Sequence, residues 1–93
     1  MHRLNFTASV DVTELASRER FSLRMTDVGA GGCFLDALFP LPVGSKVRVT
    51  LRHGLMDFHA EGQVVYSQSG LGMGIAFDEL NSEQRHSLMQ LVQ

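Results

Sequence analysis

Leu4-Asn5-Phe6-Thr7-Ala8-Ser9-Val10-Asp11-Val12 alternates without a break. Leu4, Phe6, Ala8, Val10 and Val12 are apolar, and Asn5, Thr7, Ser9 and Asp11 between them are polar. Successive side chains of a strand point to opposite faces, so this stretch reads as a strand with one buried face. The same alternation returns along the chain. Phe21, Leu23 and Met25 alternate with Ser22, Arg24 and Thr26, and Val47, Val49 and Leu51 alternate with Lys46, Arg48, Thr50 and Arg52. Phe58, Ala60, Gly62, Val64 and Tyr66 make a further inward row, and Met73, Ile75 and Phe77 another. With the short apolar run Cys33-Phe34-Leu35, the chain holds about six strands. Glycine and proline separate them, at Gly29-Ala30-Gly31-Gly32, Pro40-Leu41-Pro42-Val43-Gly44, His53-Gly54 and Ser69-Gly70. Short strands at this spacing predict an antiparallel barrel or sandwich.

The C-terminal end departs from period two. Asn81 or Ser82 can cap a helix, and Gln84 stands where a capping box on Asn81 needs it. Leu88, Leu91 and Val92 then share one helical face, with Met89 beside them. The pattern predicts an amphipathic helix over 82–92 that packs on the sheet or closes one end of it.

Ninety-three residues make a single domain, 1–93, with an apolar fraction of 44 %. Ten acids against eight bases give a net charge of −2, which argues against a general nucleic-acid binder. The single Cys33 forms no internal disulfide and fits a reducing compartment. No apolar stretch approaches the ~20 residues that cross a bilayer, and no signal-peptide core is present. The expectation is a soluble cytoplasmic domain without membrane insertion.

Candidate chemistry concentrates at Asp27-Val28-Gly29-Ala30-Gly31-Gly32. A dinucleotide-binding loop would need a glycine at position 34 and then a helix, but Phe34 stands there and a strand follows. No Gly-Lys-Ser/Thr phosphate loop is present, and Gly70-Leu71-Gly72-Met73-Gly74 fails the same tests. Tight turns and bulges are the plain reading of both clusters, with glycine supplying positive φ. Asp27 stands out because it shares parity with Phe21, Leu23 and Met25. A carboxylate ending an inward row must lie at the mouth of the fold or accept hydrogen bonds, from its own turn or from a ligand.

The segment Thr26–Leu35 resembles the Asp/Asn-x-Ser-x-x-Gly turn of PilZ domains. Further pieces resemble the family in order: Leu41–Val47, Glu61–Tyr66, Gly72–Phe77 and the C-terminal helix. Together they cover nearly the whole chain. The resemblance implies an all-β fold, a six-stranded antiparallel β-barrel of split-barrel type with a short C-terminal α-helix. It also implies a non-catalytic bacterial signalling role, binding cyclic di-guanosine monophosphate (cyclic di-GMP) and relaying it to a protein partner or fused domain.

The family's site joins an Arg-x-x-x-Arg arm before the first strand to the Asp/Asn-x-Ser-x-x-Gly turn. Arginine forks onto phosphate and guanine edges and stacks on bases, and an aspartate accepts from guanine N–H groups. On the matching positions the implied ligand residues are Arg3, Asp27, Gly29 and Gly32. Gly29 stands at the serine position and lacks its hydroxyl. Arg3 matches the second arginine of the arm, and the first would precede Met1, so the motif is degenerate or truncated. Arg20 and Arg24 also read as Arg-x-x-x-Arg, but inside a strand close to Asp27. They are read as a solvated face first and as secondary anion contacts second. The alternative function is a PilZ-like protein-interaction module that does not bind the dinucleotide.

The other residues read plainly. His53, Asp57 and His59 around a hairpin are surface residues, and no metal site is expected. Cys33 is expected as a small buried side chain. Lys46, Arg48 and Arg52 form a solvated face that neighbouring acids neutralise. No nucleophile–base set or paired carboxylates suggest catalysis, so neither an enzyme nor a cofactor is expected.

Overall fold

A computed structural model describes residues 4–91. Six strands run in the order β1 (Leu4–Glu14), β2 (Arg20–Gly29), β3 (Gly32–Asp36), β4 (Lys46–His53), β5 (Met56–Gln68) and β6 (Gly72–Phe77), followed by α1 (Ser82–Leu91). They form a closed antiparallel barrel with the neighbour order β1-β2-β3-β6-β5-β4. Val92, expected at the end of the helix, lies outside the described residues.

The period-two rows become the core. Val10 and Val12, Val47, Val49 and Leu51, Phe58, Ala60 and Val64, and Met73 and Ile75 are all buried. Cys33 and Leu35 are buried on β3 while Phe34 between them turns outward. Cys33 is thus a packed core side chain, as expected. The outward cations of β4 pair across to β5, Arg48 with Glu61 at 2.6 Å and Arg52 with Asp57 at 4.0 Å.

Two inward rows end earlier than strict alternation predicts. The β2–β3 register slips between Met25 and Asp27, and the next buried residue after Met25 is Val28. The β5–β6 register slips between Val64 and Tyr66, and Tyr66 is exposed. Each slip is a bulge, and one extra residue swaps the faces beyond it. Asp27 and Tyr66, both expected on inward rows, therefore stand on the outward face.

Antiparallel pairing sorts the connections onto two ends. One end carries the start of β1, the β2–β3 turn and the β4–β5 turn. The far end carries the β1–β2 turn, the 37–45 loop and the β5–β6 turn. The helix begins with the expected capping box. The Gln84 backbone N–H donates to Asn81 Oδ1 at 2.7 Å, and the Asn81 N–H donates to Gln84 Oε1 at 2.9 Å. Gln84 Nε2 also donates to the His59 carbonyl at 3.0 Å, tying α1 to β5. Leu80, Leu88 and Leu91 join the core, whereas Met89 is exposed.

Candidate functional site

The β2–β3 connection is a hairpin whose turn is Ala30-Gly31, with Gly29 paired to Gly32. Asp27 and Gly29 therefore belong to β2 rather than to a loop. The left-handed glycines among the described residues are Gly44, Gly54 and Gly70, so the 29–32 run does not supply the positive φ expected of it. Gly32 serves another purpose. A Cβ there would fall 2.0 Å from the Ile75 carbonyl oxygen, so only glycine lets β3 approach β6 this closely.

Beyond the bulge Asp27 pairs with Asn5 on one side and Phe34 on the other. Phe34 pairs with Gly74, and Gly74 with Tyr66. Asp27, Phe34, Gly74 and Tyr66 thus make one row across four strands on the outer face, roughly 14 Å wide at ~4.8 Å per strand. Gly74 puts no side chain between the two aromatic residues, whose ring centroids lie 6.3 Å apart at 42°. The Tyr66 hydroxyl donates to Gln68 Oε1, which fixes the ring. A shallow depression of about 400 Å³ lies here, lined by Phe34, Tyr66, Gly74 and Gly32 among others. Asp27 is half-buried, with Oδ1 screened from solvent. The row combines a carboxylate with a flat apolar floor, which suits a planar ring that carries N–H donors on its edge.

Residues 2–93 match the model of the PilZ domain family. The chain belongs to the PilZ family. A crystal structure of the PilZ domain of CeSA from a cellulose-synthesizing bacterium has the same fold, with a TM-score of 0.78 and 19 % sequence identity. The match covers 99 % of this chain and 95 % of that one. No curated protein matches the sequence.

Within this PilZ domain the expected site residues separate. Asp27, Gly29 and Gly32 lie together at the hairpin. Arg3 lies outside the described residues, but Leu4 pairs with Val28, so the chain enters β1 directly beside the hairpin. Arg20 opens β2, roughly 20 Å from Asp27 at ~3.3 Å per residue. Arg24 donates Nε and Nη2 to Asp36 Oδ2 at 3.1 and 2.8 Å. Both arginines are exposed, as a solvated face should be. Phe34 and Tyr66 were not singled out from the sequence. The signal was present in Tyr66, an aromatic residue on a glycine-flanked hairpin, but the bulge that turns it outward was not legible.

Proposed function

We propose that this PilZ domain is a non-catalytic receptor that binds cyclic di-GMP on the outer face at the β2–β3 hairpin and passes the signal to a protein partner. The observation that carries the reading is the row in which Asp27 stands next to Phe34, with Tyr66 against Phe34 on the far side. In this reading one guanine lies over the aromatic floor, where a base–ring contact contributes about 1–3 kcal/mol. Asp27 accepts from the guanine N1–H and N2–H₂ edge. Arg3 supplies the cation for a phosphate as the chain enters β1, and a charge-assisted bond of this kind is worth about 1.5–3 kcal/mol. Gly29 exposes its backbone but offers no hydroxyl. No bond is made or broken, and the output is a changed surface around the start of β1.

Gly29 favours the second reading, a protein-interaction module that has lost the ligand. Calorimetric titration of the parent and of Asp27→Ala with cyclic di-GMP separates the two, with melting temperature as the control. The receptor reading expects saturable binding by the parent and loss of binding in a stably folded Asp27→Ala. A parent that takes up no ligand at micromolar concentrations leaves the interaction module standing. An Asp27→Ala variant that binds like the parent moves the site away from the hairpin.

A further inference from the structure

The far end of the barrel carries an apolar surface that the proposed ligand site does not use. Leu38, Phe39 and Leu71 are 70, 89 and 49 % exposed. They border a groove of about 760 Å³ that Phe21 and Leu23 also line, with Arg24 and Asp36 on its rim. A single exposed leucine is ordinary, but adjoining apolar side chains around a concavity form a docking surface.

Charge narrows the occupant. Arg20 lies two residues before Ser22, which lines the groove, and on the same outward face of β2. Among the described residues Arg20 makes no ion pair, and Arg24 pairs only with Asp36. Arg24 spends Nε and Nη2 on a single oxygen, leaving N–H donors of its guanidinium for another acceptor. Arg20, Arg24 and Asp36 together leave this rim net positive. A second copy related by a two-fold axis would set that positive rim against its own kind. An anionic bilayer needs a cluster of about four to eight cations, whereas the groove has only Arg24 on its rim and Arg20 beside it.

We propose that this groove docks a segment of a partner protein that presents a bulky apolar side chain flanked by carboxylates. The apolar side chain enters between Phe39, Leu71 and Leu23, and the carboxylates meet Arg20 and the outer edge of Arg24. The groove shares no lining residue with the Asp27 row, so docking does not require the dinucleotide.

A random-peptide phage library panned on the full chain, without dinucleotide, tests this. The enriched sequences should share a bulky apolar residue next to Asp or Glu. A synthetic peptide of that consensus should bind the parent and weaken as salt rises. Phe39→Asp should weaken it by about 30-fold or more, as loss of a central apolar anchor does. Arg20→Glu should reverse the selection toward basic flanks. These side chains are exposed, so melting temperatures should hold, and Leu71→Asp replaces Phe39→Asp if that variant melts early. Absence of enrichment, a consensus without acids, or binding indifferent to these variants overturns the proposal. So does a parent dimer in sedimentation equilibrium that Phe39→Asp dissociates, or binding to phosphatidylserine vesicles in place of the peptide.

Discussion

Replacing Gly32 by alanine should destabilise the barrel far more than one methyl group suggests. The added Cβ would meet the Ile75 carbonyl oxygen at 2.0 Å, its carbon at 3.1 Å and the Ala76 Cα at 3.3 Å. The first contact is more than ~1 Å short of van der Waals separation. All three atoms are backbone, so no side chain can swing aside. Relief requires β3 to move off β6, which stretches the ladder at Gly32–Ala76 and Cys33–Ile75. Overpacking costs about 1–3 kcal/mol, and a weakened ladder bond adds about 1 kcal/mol. A total near 3 kcal/mol lowers the melting temperature of a domain this size by about 12–24 °C. Urea titration monitored by circular dichroism reads the loss as a shift in midpoint. Gly54→Ala is the control, since its added Cβ meets nothing within 4 Å and only the left-handed φ of 64° is strained. That strain costs about 1–2 kcal/mol. If Gly32→Ala were no less stable than Gly54→Ala, the close approach of β3 to β6 would not be what demands glycine.

Asn81→Ala should remove the reciprocal cap of α1 and cost about 1 kcal/mol. An unchanged thermal melt would show that Leu88 and Leu91 alone hold the helix in place. Tyr66→Ala should leave the fold intact and raise the Kd for cyclic di-GMP by about 5- to 150-fold, the value of one lost base–ring contact. Calorimetry giving the parent Kd would exclude the aromatic floor from the site. Gly29→Ser restores the family's hydroxyl in a strand conformation that accepts it, and should tighten binding by about tenfold. Unaltered affinity would mean that the hydroxyl of residue 29 does not reach the ligand.

The strands were legible because alternation is a local property of the chain. Val47, Val49 and Leu51 needed no partner to declare their face, and Asn81 and Gln84 announced the helix start within one turn. The bulges were not legible, because an extra residue is defined only against the neighbouring strand. Met25 and Val28 stand three apart, a break in parity that leaves Asp27 ambiguous until Phe34 is set opposite it. The same holds for Tyr66 and Gly74. The candidate site was therefore readable at its motif positions and unreadable at its aromatic floor. The role of Gly32 was hidden for a related reason, since the carbonyl that excludes a side chain belongs to Ile75, far along the chain. Arg20 and Arg24 look close to Asp27 in sequence, but an extended strand carries them away from it.

Closure of the sheet has a consequence for recognition. Among the described residues every strand is flanked by two others, but β1 pairs with β4 only over Val10–Glu14, β2 meets β3 only from Arg24 onward and β5 meets β6 only over Gly62–Gln68, so the runs 4–9, 20–23 and 56–60 have a strand partner on one side only. Binding by β-addition, in which main-chain hydrogen bonds supply affinity whatever the guest's side chains, is therefore confined to such short runs. Elsewhere a guest must be recognised by what its side chains present at an end or on the outer face. Open runs this short also offer the folded domain little of the edge-to-edge stacking from which fibrils grow.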